Sequence, residues 1–150
     1  TGRLLDCVNS KDQLSQKTVF KKGDVLFGKL RPYLKKYLYA EFNGVCSTEL
    51  WVLKSGSSIN SRWLYYLVQS DRVVEAANQS TGTKMPRAEW NVVKNTEVTM
   101  PTSIEEQIRI ATTLSDMDAE INALETKLTK CQLIKQGMMQ NLLMGRIRLI

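Results

Sequence analysis

The sequence has 150 residues, 43% of them hydrophobic and 24% charged, with 21 Lys and Arg against 15 Asp and Glu, a formal net charge of +6 and no histidine. That length allows one domain, or one domain with an extension, and the apolar fraction is enough to build a core. No run of about 18 apolar residues is available to span a membrane, and the lack of histidine removes the commonest general base and the commonest metal ligand.

No Cys-x-x-Cys pair, Gly-x-Ser-x-Gly elbow or phosphate-cradling glycine loop is present, and no carboxylates are paired at acid/base spacing, so enzyme chemistry within the chain is not expected. Cys7, Cys46 and Cys131 are odd in number and widely spaced, which suits reduced thiols in a cytoplasmic protein better than a disulfide framework. The chain opens Thr1-Gly2-Arg3, without Met or a signal-peptide apolar stretch, and reads as a fragment beginning inside a larger protein. The charge is uneven. Residues 1–100 carry fifteen basic and nine acidic side chains, whereas residues 101–150 carry six of each. A basic body suits a polyanionic partner, most often nucleic acid.

In chain order, residues 1–16 read as irregular. Val19-Phe20 starts a strand, Lys22-Gly23-Asp24 signals a turn, and Val25-Leu26-Phe27 begins the next strand. The stretch from Gly28 to Lys36 holds Lys29, Arg31, Lys35 and Lys36 with Tyr33 and no acid, and Pro32 argues for an exposed loop over a central strand. A strand is expected over 37–42, a tight hairpin turn at Asn43-Gly44, and a further strand over 45–53. Asn60 or Ser61 caps a helix carrying Trp63, Leu64, Leu67 and Val68, and Ser70-Asp71 recaps a second piece with Val73, Val74 and Ala77. Residues 78–86 read as a loop. A short helix or turn follows over 87–93, with Trp90 and Val93 turned inward, and a last strand over 97–100.

The chain then enters its longest element. Residues 103–143 run without proline, and apolar positions recur by four and three. Leu114, Ile121, Leu128 and Leu142 fall at a, and Ile110, Met117, Leu124, Cys131 and Met138 at d, with Lys135 the one charge on the seam. Ser103-x-x-Glu106 is a capping-box signature, and Gly145 marks the end. At about 1.5 Å per residue such a helix is roughly 60 Å long. A seam of that length is expected to pack on another long helix; folding back on its own domain is the alternative. Gly137 allows a kink or a close helix approach. The fold class is therefore α+β, a small mixed α/β domain over 1–100 followed by one long C-terminal coiled-coil helix over 101–150.

Two segments are candidate binding residues. The first is Lys29, Arg31, Tyr33, Lys35 and Lys36: cations neutralise phosphates, and Arg can also read guanine bidentately. A solvated charge run covering a sheet edge is the other reading. The second is Thr81, Gly82, Thr83, Lys84 and Arg87, where a glycine permits close backbone approach beside hydroxyls and cations; an ordinary loop is the alternative. Trp51, Trp63 and Trp90 fit the core better than a stacking platform, and Cys131 fits as a small apolar filler on the seam.

Taken in order, three stretches resemble a known family. They are Lys22-Gly23-Asp24-Val25-Leu26-Phe27-Gly28-Lys29-Leu30-Arg31-Pro32-Tyr33; Ser80-Thr81-Gly82-Thr83; and Pro101 through Glu106-Gln107 and Ile110 into the heptads, closing with Lys135-Gln136-Gly137-Met138-Met139-Gln140-Asn141-Leu142-Leu143 and Gly145. The chain resembles the specificity subunit of type I restriction–modification enzymes, as one target recognition domain lacking its first part plus its spacer helix. The resemblance implies a non-catalytic role: each recognition domain reads one half of a split double-stranded DNA target, and paired antiparallel spacer helices fix the distance between halves. It implies no cofactor in this chain, with S-adenosylmethionine, ATP and Mg²⁺ used in the methyltransferase and restriction subunits that are its partners. The long apolar seam leads to the expectation of a homodimer, Lys135 favours antiparallel helices in it, and the resemblance points the same way. A second reading is a coiled-coil dimerisation fragment whose globular part binds protein only, and a small enzyme is a distant third.

Overall fold

The structure, a computed structural model, describes residues 16–79 and 85–149. The elements are β1 (Lys17–Phe20), β2 (Val25–Gly28), β3 (Tyr37–Tyr39), β4 (Gly44–Ser47), β5 (Leu50–Leu53), α1 (Ser61–Leu67), α2 (Asp71–Asn78), α3 (Trp90–Lys94) and α4 (Ile104–Leu143). By compactness the chain divides into two units, Thr1–Ala111 and Thr112–Ile150.

Strand β2 is the centre of the first unit. It pairs antiparallel with β3 on one side and β5 on the other, while β1 and β4 form a separate antiparallel pair. All four residues of β2 are buried. Successive side chains of a strand point to opposite faces, so its unbroken apolar run feeds two clusters. Val25 and Phe27 pack with Val68, Val73, Ala77 and Ala88, and Leu26 packs with Phe20, Ala40 and Cys46. Tyr37 and Trp51 sit opposite Phe27 on the two neighbouring strands, and Trp51 stacks on the Phe27 ring at 5.7 Å between centroids. Such cross-strand aromatic pairs stabilise the sheet beyond their area burial. Burial also raises the Cys46 thiol above its usual pKa, against a smaller lowering by Lys17.

The turn into β2 follows its sequence signal. Gly23 adopts φ +94°, which an L side chain resists, and Asp24 accepts from the Lys21 N–H at 2.8 Å while its own N–H donates to the Lys21 carbonyl. Asn60 caps α1, its Oδ1 accepting from the N–H groups of Arg62 and Trp63, each at 3.0 Å. Ser70 stands at the cap of α2 but makes no side-chain cap bond, and its buried Oγ has no partner among the described residues.

Several expectations are corrected. Asn43-Gly44 is not a hairpin turn, because β3 and β4 belong to different sheets. Asn43 instead accepts from the Lys22 N–H through Oδ1 at 2.8 Å, and Gly44 is small because a Cβ there would stand 2.7 Å from Phe20 Cζ. The strand expected over 37–42 stops at Tyr39. The run expected over 45–53 breaks after Ser47 into β4 and β5, which serve the two sheets separately. Trp90 is 48% exposed, lying edge-on to Trp51 at 5.2 Å instead of entering the core, while Val93 does pack there. No strand forms over 97–100; Val98 packs against the core from an irregular segment.

Helix α4 is continuous over its 40 residues. Ser103 Oγ accepts from the Glu106 N–H at 3.4 Å, the first half of the expected box, while its hydroxyl donates to the Glu105 carboxylate at 2.5 Å in place of the return bond from Glu106. The first turns belong to the first unit, where Gln107 and Ala111 are buried. At the far end Gly145 takes φ +67° and donates to the Leu142 carbonyl, while Arg146 donates to that of Asn141. That bonding pattern is a Schellman motif, which satisfies the last carbonyls. No heavy atom lies within 4 Å of where a Cβ would stand at Gly137, so no close approach is made to it by the described residues.

Candidate nucleic-acid interface

The basic loop after β2 is shaped by three local features. Pro32 fixes φ and is fully buried beside α2, anchoring a single 3₁₀ turn over Pro32–Leu34. The residues on either side of that turn, Arg31 and Lys35, hold left-handed backbones at φ 52° and 50°. Each costs about 1–2 kcal/mol for an L residue, so the surrounding structure dictates the loop. The Gly28 N–H donates to the Lys36 carbonyl at 2.7 Å and closes the loop at its base. With Pro32 inside, Tyr33 and Leu34 are left outside, and Arg31, Lys35 and Lys36 are exposed beside them; Lys29 is half-buried.

Arg87, the described member of the second segment, comes to the same place. Leu30 and Arg87 form an isolated antiparallel bridge, with the Arg31 N–H donating to the Pro86 carbonyl at 2.8 Å and the Ala88 N–H to that of Lys29 at 2.9 Å. Arg87 therefore lies alongside the basic loop and shares one surface with it. Thr81, Gly82, Thr83 and Lys84 lie outside the described residues.

Glu49, a residue the sequence reading passed over, joins both segments. It sits at the break between β4 and β5. Its carbonyl accepts from the Lys29 N–H at 2.9 Å, and its carboxylate Oε1 is 3.1 Å from Arg87 Nη2. Its Oε2 is buried without a partner among the described residues. The signal available in the sequence was an acid following Ser47 and Thr48 inside the stretch expected to form one strand. Chemically, this surface offers cations, one exposed phenol and a guanidinium paired with a carboxylate. Among the described residues, no group of three or more His, Cys, Asp or Glu side chains is placed to hold a metal ion.

Along α4 the heptad positions are open. Met117, Ile121, Leu124, Leu128 and Met138 are exposed, as is Cys131, while Leu114 and Leu142 are half-buried and Ile110 stands at the margin of exposure. No helix among the described residues is long and apolar enough to cross a membrane.

The chain is a mixed α/β domain with a basic loop surface, followed by one long helix. The family model for the type I restriction modification DNA specificity domain matches residues 8–133, and the chain belongs to this family. It is 25% identical over 136 residues to the EcoDI type I restriction enzyme specificity subunit of Escherichia coli, covering 89% of this chain and 30% of that protein. Two solved structures are similar. One, reported for complex assembly and conformational transition of the type I R-M system, has TM-score 0.73 and 25% identity, with 94% of this chain and 38% of that chain covered. The other is the HsdS subunit from Thermoanaerobacter tengcongensis, with TM-score 0.66 and 26% identity, covering 89% and 36%. The chain thus spans about a third of the length of these relatives.

Proposed function

We propose that this chain is the non-catalytic half of a DNA reader. It recognises one part of a bipartite duplex target through Lys29, Arg31, Tyr33, Lys35, Lys36 and Arg87, with Thr81, Gly82, Thr83 and Lys84 contributing from the adjoining loop. The observation that carries this reading is the Leu30–Arg87 bridge, which unites two basic segments far apart in the chain. In the full assembly the long helix sets the spacing between two such readers. Adenine methylation and cleavage, with their S-adenosylmethionine, ATP and Mg²⁺, belong to methyltransferase and restriction subunits.

The open heptad stripe supports a pairing role for the helix within the same function: two copies of this chain pair antiparallel and carry two reading surfaces. The test is a salt titration of duplex binding by the 150-residue chain. A DNA reader gives a steep negative slope of log affinity against log salt, about 0.9 per phosphate contact. Changing Lys35 and Lys36 to Ala weakens binding to every duplex alike and flattens that slope. Salt-independent binding, or none, overturns the reading.

A further inference from the structure

The acid at the centre of this basic surface has no counterpart in simple phosphate neutralisation. A carboxylate beside a phosphate-binding cation cancels part of the attraction on which such contact depends. Glu49 is also held in place. Its carbonyl ties down Lys29, its N–H donates to Ser47 Oγ at 3.2 Å, and its Oε2 is buried without a partner among the described residues. An unpartnered buried carboxylate oxygen costs stability, so stability is a poor account of this residue. Among the described residues its ion pair is to Arg87, both side chains being partly exposed, and the Arg87 segment is pinned on both sides by the Arg31–Pro86 and Ala88–Lys29 bonds.

We infer that Glu49 is a positioning residue for specificity: it converts Arg87 from a mobile phosphate clamp into an oriented reader of a base edge. The inference rests on the DNA-binding reading above. A guanidinium presents five donors in a rigid fork. Glu49 Oε1 stands 3.1 Å from Nη2, so it restrains the rotation of the fork and offsets its charge, leaving other N–H groups to point outward. Bidentate recognition of guanine O6 and N7 needs that direction and gains little from net charge, whereas phosphate binding gains chiefly from net charge. Ordering the long side chain before binding also removes part of the entropy cost of each contact.

The experiment uses the 150-residue chain and a pool of duplexes with randomised central bases, selected by binding and sequenced. Glu49→Gln keeps the shape and removes the charge. The expected result is that one base position loses about tenfold of its preference, the salt slope steepens by about 0.9 as Arg87 becomes a phosphate contact, and affinity for unselected duplex rises. Arg87→Gln flattens the same position without steepening the slope, and the double variant loses no further preference than Arg87→Gln alone. Glu49→Asp, with a shorter reach, restores part of the preference. Circular dichroism and a thermal melt verify that each variant is folded. A merely structural Glu49 would lower affinity for all duplexes together with the melting temperature, leaving the base preference intact; that result overturns the inference. So does wild-type preference and slope in a folded Glu49→Gln chain. Failure of the wild-type chain to bind duplex in a salt-dependent way overturns this inference and the DNA-binding reading together, so the two failures are distinguishable.

Discussion

The side chain of Gln107 supplies the hydrogen-bond partner for the backbone of Asn60: its Oε1 accepts from the Asn60 N–H at 2.8 Å. Gln107 is fully buried in the second turn of α4, and its Nε2 donates to the Pro101 carbonyl at 2.9 Å and the Ser58 carbonyl at 3.3 Å. Asn60 in turn caps α1. One carboxamide therefore links the entry to the long helix, the cap of α1 and the loop before it.

Removing that carboxamide should be expensive. Gln107→Ala strands one N–H and two carbonyls, each worth about 1–3 kcal/mol when buried unpaired, so a loss of at least 2 kcal/mol is expected. Gln107→Glu keeps the acceptor but loses both donor bonds and buries a carboxyl group, and should be no better. Denaturant unfolding followed by tryptophan fluorescence measures this, because Trp51, Trp63 and Trp90 all lie in the domain and none in α4.

The left-handed backbone at Arg31 separates binding from folding. Glycine adopts φ near 52° freely, so Arg31→Gly retains the loop and its stability to within about 1 kcal/mol, strain relief being offset by unfolded-chain entropy. Duplex preference should nevertheless relax by about 1–3 kcal/mol at one base pair if the guanidinium reads it. Arg31→Val places a β-branched side chain where positive φ is a true outlier and should destabilise by more than the glycine variant. Paired melts and binding isotherms distinguish the two effects.

Glu105 gives a titration signature at the start of α4. The Ser103 hydroxyl bond, chiefly, and the Glu105 backbone N–H hold its carboxyl below the usual range; desolvation opposes them, and Arg109 adds a smaller lowering. A carboxyl depressed in the folded state favours folding above its unfolded value of about 4.3 and loses that contribution as pH falls through the lower folded value. Ser103→Ala should move the Glu105 midpoint upward toward the ordinary range. Carboxyl-carbon NMR titration reads the shift directly; an unmoved midpoint would remove Ser103 as its cause.

Much of the architecture was legible where local chemistry acts alone. The Lys-Gly-Asp turn, the strand begun by Val25-Leu26-Phe27, the Asn60 cap and the Gly145 end of α4 follow from a few adjacent residues, and each stands as read. Local reading failed where a distant partner decides. Gly44 invited a hairpin, yet its smallness serves the Phe20 ring of another strand. The run from Val45 reads as one strand because nothing local shows that its two halves join different sheets. For the candidate surface, the sequence yields the basic loop and Arg87 separately. Their union through the Leu30–Arg87 bridge, and the part played by Glu49, depend on chain topology that periodicity does not encode.

The exposed stripe on α4 leads to the last prediction, that two copies pair through antiparallel helices. Ile121 is 52% exposed and Leu124 58%, in line with Met117, Leu128 and Met138, and monomers rarely leave so long an apolar row in water. At roughly 25 cal/mol per Å² of apolar area, burying such a row on each of two helices gives several kcal/mol after the cost of association is subtracted. Orientation follows from Lys135. In a parallel pair it would meet its own copy at an a position, two ammonium groups on one seam. In an antiparallel pair it meets the early turns of the partner helix, where Glu105, Glu106, Asp116 and Glu120 supply opposite charge. Changing Ile121 and Leu124 together to Asp places four carboxylates on the shared seam, and light scattering should then report a monomer of unchanged helicity. A wild-type chain already monomeric at micromolar concentration, or crosslinks joining Lys135 to Lys135, would refute the antiparallel pair. Repulsion between like charges at an a position leaves little room for a parallel one, whereas the acidic first turns make the opposite register favourable along the whole seam.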